Sequence, residues 1–208
     1  MNDSLYIERY FGDVSELAKK ISRKEITRVI NILFRAWKKK KFVFVMGNGG
    51  SASNATHFTA DLVKTVDDVS FGRGLRAVSL VDNIPLVSAM INDRGWDNLY
   101  SEQLCTYYPE EVEKAIGIGL SVHGGSGKDK AGLWSQNILK GLQYIKDNGG
   151  ITIGFAGFDG GAMKKMVDVC IVVPVESTPL VESFHSVVQH LIVFRLKELI
   201  SQSKNKKR

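Results

Sequence analysis

Cysteine is scarce in this sequence, and no long apolar run is present. The two cysteines, Cys105 and Cys170, are too few and too far apart to form a disulfide framework or a zinc knuckle. No stretch approaches the roughly 18 apolar residues that a membrane span requires, and residues 1–4 do not begin a secretory signal. We therefore expect a protein of the reducing cytoplasm that does not enter a membrane.

Basic residues are in excess, but most of the excess lies in two short segments. The 208 residues carry a formal net charge of +6. Residues 38–41 and 204–208 each supply four positive charges, so the rest of the chain is slightly acidic. Aromatic residues are not interleaved with these basic ones, so we expect no nucleic-acid partner. A hydrophobic content of 44% and 20 glycines exclude disordered and fibrous proteins and favour an α/β domain.

Apolar runs and helical patterns alternate along the chain. Five runs rich in valine and isoleucine predict buried strands at residues 42–46, 75–81, 115–121, 151–155 and 169–173. Helical spacing predicts helices over residues 14–37 (with a break near 22–25), 85–91, 97–106, 131–148, 161–167 and 179–201. This alternation predicts an α/β fold with a three-layer, doubly wound, five-stranded parallel sheet. We expect a single domain over 1–208, with a helical arm at 1–40, the α/β core at 41–201 and a basic tail at 202–208.

Two glycine-rich loops follow the first and third predicted strands. Residues 47–51 read Gly-Asn-Gly-Gly-Ser, and residues 121–126 read Ser-Val-His-Gly-Gly-Ser. Glycine lets backbone N–H groups approach an anion, and the start of a helix adds a partial positive charge. In the flavodoxin-like strand order 2-1-3-4-5, both loops lie at the crevice where the order reverses. The pair predicts a phosphate site, although such glycines also occur in plain strand-to-helix turns.

Nucleotide-binding motifs fit these loops poorly. The second loop is not a Walker loop, because Val122 stands where the first glycine of that motif belongs. The first loop matches the dinucleotide pattern G-x-G-x-x-A. However, the candidate acidic residue, Asp82, lies 35 positions after Gly47, whereas that motif needs about 20.

Histidines and carboxylates cluster on two predicted helices. His57 and Asp61 stand four residues apart, so they share a helix face. The last helix carries Glu182, His185 and His190, of which His185 has the apolar neighbours of a packed core residue. These groups suit a divalent ion such as Zn²⁺, or acid–base chemistry without a metal. One helix cannot bring positions 182 and 190 to the same ion, because eight residues span about 12 Å of regular helix.

Taken together, these segments resemble the sugar isomerase (SIS) domain of bacterial phosphoheptose isomerases. That family interconverts sedoheptulose 7-phosphate and a heptose 7-phosphate. The resemblance covers about residues 10–200 and is carried by residues 47–52, 57–62, 92–95, 121–126 and 157–161 and by the last helix. It implies an aldose–ketose isomerase that acts through an enediol and assembles as a homotetramer with its sites at subunit interfaces.

The resemblance also implies roles for individual residues. The family's sugar-phosphate contacts fall on Asn48, Gly49, Gly50, Ser51, Asn92, Asp93, Ser121, His123 and Ser126. Its metal ligands fall on His57, Asp61, Glu182 and His190, which implies one Zn²⁺ per subunit. Its catalytic residues fall on Asp61, Glu182 and His190. One of the two carboxylates would remove a proton, and His190 would return one.

This sequence departs from the family pattern at several of these positions. Asp61 replaces a glutamate, Glu182 replaces a glutamine, and residues 121–123 read Ser-Val-His where the family has Ser-Thr-Ser. Residues 127–136 form an insertion of unassigned role directly after the second loop. These departures allow a different phosphosugar as substrate. They also leave open an alternative, a non-catalytic SIS module that binds a phosphosugar or a partner protein.

Overall fold

A parallel β-sheet lies at the centre of the computed structural model, which describes residues 2–70, 73–108, 114–125 and 134–205. Its strands are β1 (Phe42–Gly47), β2 (Arg76–Ser79), β3 (Ile116–Ser121), β4 (Ile151–Gly157) and β5 (Val169–Val173). Their order is β2-β1-β3-β4-β5, and every neighbouring pair is parallel. The predicted doubly wound sheet and its strand order are confirmed.

Helices cover both faces of this sheet. They are α1 (Asp3–Lys20), α2 (Arg23–Lys39), α3 (Gly50–Ala60), α4 (Val66–Ser70), α5 (Ile84–Arg94), α6 (Leu99–Tyr107), α7 (Gln136–Asp147), α8 (Gly161–Met166) and α9 (Thr178–Asn205). A π-helical turn (Asp61–Thr65) joins α3 to α4, and a 3₁₀ turn (Trp96–Asn98) precedes α6. Several predicted ends differ from the structure: α1 starts at Asp3 and not at 14, α5 continues three residues beyond 91, and β2 is shorter than 75–81. Helix α9 continues four residues beyond 201, and α7 starts at Gln136, with residues 131–133 of its predicted span outside the described residues.

The helical arm is interrupted where the sequence predicts a break. Helix α1 ends because Ile21 adopts an extended conformation, with φ −71° and ψ 134°. The Ser22 hydroxyl then accepts a hydrogen bond from the Glu25 N–H at 3.3 Å and caps α2. Helix α2 packs against α9 and buries Val29 and Leu33 completely. The arm is thereby part of the core on one face of the sheet.

Two apolar clusters, one on each face, explain why the strands read as unbroken apolar runs. Val43 and Val45 of β1 belong to the cluster that includes α2, α3 and α9. Phe44 and Met46 point to the opposite cluster, which includes α6 and α7. Alternate residues of a strand face opposite sides of the sheet, so a sheet covered on both faces needs apolar residues at every position.

The strand order reverses between β1 and β3, and this places two loops side by side. Gly47 at the end of β1 is in register with Leu120 near the end of β3. Both glycine-rich loops therefore leave the sheet at the same point of its carboxyl edge, which is where open α/β sheets bind ligands. Among the helices of the described residues, none has the length and apolar character required to span a bilayer.

Candidate active site

The first loop turns sharply from β1 into α3. Gly49 precedes the helix with φ 53° and ψ −126°, a conformation that only glycine adopts readily. Because Gly49 has no side chain, it cannot cap the N–H groups of the first helical turn. These N–H groups and the partial positive charge of the helix start are suited to an anion.

The second loop is held in place by its own backbone. Gly124 and Gly125 have φ values of +62° and +78°. The carbonyl of Gly124 accepts a hydrogen bond from the Met163 N–H at 2.9 Å, and the Gly157 N–H donates to the carbonyl of Val122 at 2.8 Å. A Cβ on Gly124 would lie 2.1 Å from the carbonyl oxygen of Gly160. The loop therefore needs glycine at this position to pack against the turn that follows β4.

A cavity of about 270 Å³ opens between the two loops. Its lining comprises Asn48, Gly49, Gly50, Ser51, Leu120, Ser121, Val122, His123, Trp134, Ser135, Thr178 and Glu182. The structure thus brings together six predicted phosphate-site residues from two distant segments. We call this cavity the phosphate cup. Ser126, the remaining loop residue of that prediction, lies outside the described residues.

Three residues that line or support the cup were not predicted from the sequence. The Ser135 hydroxyl lies in the cup and accepts a hydrogen bond from Ser121 Oγ at 3.1 Å. The Asn48 amide is paired with that of Asn137, with both N–O distances at 2.9 Å. The hydroxyl of the buried Tyr100 donates to the Gly47 carbonyl at 2.5 Å, and it lies 3.2 Å from Asn48 Oδ1. The Asn48 side chain is therefore bound within the protein and positions the first loop.

A second polar group lies at the far end of α3. His57 Nε2 is 3.7 Å from Asp61 Oδ2, and His190 Nε2 of α9 is 3.6 Å from the same oxygen. The two imidazole Nε2 atoms are 3.4 Å apart. The Asp61 side chain is 17% exposed, whereas those of His57 and His190 are about half exposed. We call these three residues the His–Asp–His cluster.

The backbone changes from α-helix to π-helix at Asp61. Such wide turns are rare and often occur at functional sites. The Thr65 hydroxyl donates to Asp61 Oδ1 at 2.8 Å, which fixes the carboxylate with its other oxygen toward the two imidazoles. This hydrogen bond from outside the cluster orients the carboxylate in the way that supporting residues orient metal ligands.

The cluster has the dimensions of a metal site. One atom from each of His57, Asp61 and His190 can be chosen so that all three lie within 4.8 Å of one another. Ligand atoms bound tetrahedrally at zinc distances of about 2.0–2.2 Å lie about 3.4 Å apart, close to the separations here. Three protein ligands leave a fourth position for water or substrate, as catalytic zinc sites do. These residues could hold a divalent cation.

Glu182 belongs to the cup and not to the His–Asp–His cluster. A Cβ on Gly50 would lie 2.3 Å from Glu182 Oε1, so the carboxylate sits against the start of α3. Helix α9 is continuous from Thr178, which leaves Glu182 about 12 Å along the helix from His190. Within one chain the structure does not bring the two residues to a common ion.

Helices α3 and α9 run side by side and link the two groups. Asn54 of α3 donates through Nδ2 to the Glu182 carbonyl at 2.9 Å and accepts from the Ser186 hydroxyl at 2.7 Å. The cup lies at the start of this helix pair, and the cluster lies about 10 Å further along it. A ligand anchored in the cup can therefore extend along α3 toward the cluster.

Three polar residues that the sequence singled out lie outside both the cup and the His–Asp–His cluster. Asn92 and Asp93, at the end of α5, are exposed and bonded to each other at 2.7 Å, and neither lines the cup. His185 is fully buried, and its ring packs against Phe155 with the centroids 5.8 Å apart. Burial lowers the pKa of His185 to about 4, which keeps it neutral. It is a core residue, in line with the apolar neighbours seen in the sequence.

Comparisons with known proteins agree with this architecture. A family model of the SIS domain matches residues 9–111. Phosphoheptose isomerase 2 of Campylobacter jejuni is 32% identical over 197 residues, which cover 92% of this chain and 90% of that protein. Phosphoheptose isomerase of Geobacter metallireducens is 32% identical over 193 residues, covering 92% and 95%. The structure of a phosphoheptose isomerase from Francisella tularensis superimposes with a TM-score of 0.81 at 21% identity, covering 95% of this chain and all of that one.

Proposed function

Because this chain belongs to the phosphoheptose isomerase family of SIS-domain proteins, and is therefore an isomerase, we propose that it converts sedoheptulose 7-phosphate into an aldoheptose 7-phosphate through an enediol. One observation carries the proposal. A phosphate cup and a cluster of one carboxylate and two imidazoles lie along the same pair of helices. Such an isomerase needs an anchor for the phosphate and, at a distance from it, groups that move protons.

The cup anchors the substrate by its phosphate. The N–H groups at the start of α3 and the hydroxyls of Ser51, Ser121 and Ser135 donate to the phosphate oxygens, and His123 adds a donor at the rim. The phosphate does not react, so its binding energy serves to orient the open carbon chain. Asn92 and Asp93 lie outside the cup of their own chain, and we propose that they reach sugar hydroxyls across a subunit interface.

The His–Asp–His cluster carries out the proton transfers. Asp61 Oδ2 removes the proton from the carbon beside the carbonyl, while the Thr65 hydrogen bond holds Oδ1. His190 then protonates the neighbouring atom of the enediol. Glu182 remains the alternative base, from its place beside the first loop. A positioned acid or base of this kind contributes about 10²–10⁴-fold to a rate.

We also propose that the cluster binds one Zn²⁺ per subunit. In the metal-bound form His57, Asp61 and His190 would hold the ion, so Asp61 and His190 would no longer exchange protons there, and the base would be Glu182, which is not a ligand within its own chain. When bound, the ion would polarise the oxygens of the enediolate. Metal analysis of the purified protein tests this directly. We expect one equivalent of zinc per chain, and less than a tenth of that in a His57→Ala, His190→Ala double variant with an unchanged circular dichroism spectrum.

Proton NMR in D₂O with sedoheptulose 7-phosphate is the test of the proposed reaction. Loss of a proton from C1 gives an enediol that is then protonated at C2, so in D₂O we expect an aldoheptose 7-phosphate that carries deuterium at C2. The experiment is run with and without added Zn²⁺. A product without deuterium would exclude exchange of the transferred proton with solvent, and with it the return of a different proton by His190. No conversion, together with intact binding of the sugar phosphate, would favour another phosphosugar or the non-catalytic alternative.

An Asp61→Asn variant should lose turnover by about a thousandfold, since an amide cannot accept the proton. Binding of inorganic phosphate should stay within twofold, because Asp61 does not line the cup. The matched control is Asp68→Asn, a carboxylate seven residues further on that contacts Lys64 and Lys197. A Glu182→Gln variant assigns the base. Normal turnover in Asp61→Asn with a thousandfold loss in Glu182→Gln would transfer the role to Glu182.

A non-catalytic module is not favoured by these observations. A protein that only binds a phosphosugar needs the cup. It does not need a carboxylate and two imidazoles with donor atoms about 3.5 Å apart, or a threonine that orients the carboxylate.

Exposed apolar residues support a homotetramer with sites at subunit interfaces. Val187, Leu191 and Phe194 of α9 are each about half exposed and lie on one face beside His190. A second exposed apolar surface on α1 includes Ile7 and Phe11, which are four residues apart and share a face. Two separate surfaces are what a tetramer with two kinds of two-fold interface needs. Sedimentation of wild type and Phe194→Glu tests this, with a tetramer expected for the first and a smaller species for the second.

We further propose that the protein acts in the cytoplasm. The described residues contain two free cysteines, of which Cys105 is exposed. An exposed free thiol is typical of proteins in a reducing compartment.

A further inference from the structure

Three aromatic side chains stand together at the rim of the phosphate cup. The ring centroids of His123 and Phe158 are 4.3 Å apart with an interplanar angle of 35°. Those of His123 and Trp134 are 5.8 Å apart, with the rings perpendicular. The imidazole therefore packs against one aromatic ring and meets a second one edge to face. We call these three residues the aromatic wall.

The backbone at Phe158 supports a specific role for this wall. Phe158 has a φ of +54°, in the left-handed region that a bulky residue enters only at a cost of about 1–2 kcal/mol. Its neighbour Gly157 is tied to the second loop by the hydrogen bond to Val122, and Gly160 packs against Gly124. A strained residue persists when the surrounding structure fixes it, and such residues concentrate at ligand sites. In this strained conformation the Phe158 ring lies against His123.

Trp134 is unusual because it lines a polar cup while its side chain is largely open. The residue is 58% exposed, and it lies beside Ser135, whose hydroxyl is bonded to Ser121. Leu120 and Val122 add apolar surface to the same cavity. The face of an indole gains little from an inorganic anion, but it packs well on C–H groups. The lining therefore combines donors suited to a phosphate with apolar surface suited to a carbon chain.

We propose that Trp134 is a specificity-determining residue that packs on the carbon chain of the substrate next to its phosphate. This rests on the proposed function, in which a phosphosugar occupies the cup. Phe158 is a positioning residue, because it acts through His123, which it holds toward the phosphate. The ligand class is a phosphorylated sugar whose carbons beside the phosphate present C–H groups. An anion without such carbons gains nothing from the indole face of Trp134.

Steady-state kinetics and phosphate inhibition of a Trp134→Ala variant test the proposal. We expect the KM for sedoheptulose 7-phosphate to rise about tenfold with kcat within twofold, because the lost contact is made equally in the ground and transition states. The inhibition constant of inorganic phosphate should stay within twofold. Trp134→Phe should recover most of the affinity. The matched control is Trp96→Ala, which removes an indole of similar exposure outside the cup and should behave as wild type.

Two results would overturn the proposal. An unchanged KM in Trp134→Ala would show that the indole does not touch the substrate. A parallel rise in KM and in the phosphate inhibition constant would show that Trp134 only supports His123. A failure of the isomerase reaction itself is separable, because binding is measured independently by calorimetry with the sugar phosphate and with inorganic phosphate. If wild type binds the sugar phosphate more tightly than inorganic phosphate and Trp134→Ala loses that difference, the proposed indole contact is supported even where no turnover is measured. If wild type binds both equally, the proposal is wrong.

Discussion

Two cavities of similar size lie at opposite edges of the sheet. The phosphate cup, of about 270 Å³, lies at the carboxyl edge, and its lining has one imidazole and one carboxylate as its ionisable groups. A cavity of about 260 Å³ lies at the amino edge, near the starts of β1 and β2. Its lining contains Lys40, Arg73 and Arg76. By charge alone, the amino edge is the better place for a phosphate.

The two arginines at the amino edge are directed at the protein itself. Arg73 donates to the Trp37 carbonyl at 3.2 Å and Arg76 to the Lys40 carbonyl at 3.4 Å, both at the end of α2. The same guanidinium groups lie over the rings of Trp37 and Phe42, at 4.7 and 3.8 Å. Carbonyl groups at the end of a helix attract cations. Positive charge at this edge stabilises the fold, whereas N–H groups and hydroxyls at the other edge are available to a ligand.

Anion binding, measured after paired substitutions at each edge, tests most directly which edge binds a phosphate. A Ser51→Ala, Ser121→Ala variant should weaken inhibition by inorganic phosphate about a hundredfold, since hydrogen bonds to a charged group contribute about 1.5–3 kcal/mol each. An Arg73→Gln, Arg76→Gln variant should change it less than twofold, although it removes two positive charges. If the arginine pair produced the larger loss, the assignment of the two edges would have to be exchanged.

A pH titration tests a second difference between the two edges. The arginines of the amino edge stay charged, whereas helix α9, which contributes to the phosphate cup, buries a histidine that must remain neutral. Burial lowers the pKa of His185 to about 4, while the unfolded chain binds the proton below about pH 6.5. Its contribution to stability is complete above pH 6.5 and is lost as the pH falls toward 4. Between pH 7 and 5 we expect wild type to lose about 2 kcal/mol more unfolding free energy than His185→Leu, measured by urea denaturation at each pH. Equal losses would mean that His185 titrates normally in the fold.

The smallest expected effect concerns the stability contributed by the amino edge. Arg76→Gln should lower the free energy of unfolding by about 0.5–1 kcal/mol, because the guanidinium lies over the Phe42 ring and near a helix end. The control is Arg9→Gln, whose guanidinium lies 5.8 Å from the ring of the exposed Tyr6. We expect a smaller loss there, and wild-type turnover in both variants. A loss of turnover in Arg76→Gln would indicate a functional role for this edge.

The fold could be predicted because its signals are local. Runs of valine and isoleucine mark strands that are covered on both faces, and Ser22 marks the break in the arm. The predicted start of α7 was too early because Ser135 adopts a left-handed conformation, with φ 56°, just before the helix. Serine gives no sign of that conformation in a sequence.

The site could be predicted in part, for reasons of geometry. His57 and Asp61 were paired by helical spacing, and the two loops by strand order. The approach of His190 depends on how α3 and α9 pack, which spacing within one helix does not reveal. The same is true of Tyr100 and Asn137, which reach the first loop from helices distant in the sequence. The π-helical turn at Asp61 also has no signature among these residues.

The pairing of α3 with α9 has a consequence during synthesis. The contact between His57 and His190 joins positions 133 residues apart, so one partner is translated long before the other. Both loops of the cup can form once β4 and its following turn have left the ribosome, but the His–Asp–His cluster waits for the last helix. Contacts of such long range form late in folding. A prematurely terminated chain would thus lack both the His–Asp–His cluster and the side of the cup that Thr178 and Glu182 supply, so the anchor and the reacting groups are completed by the same last helix.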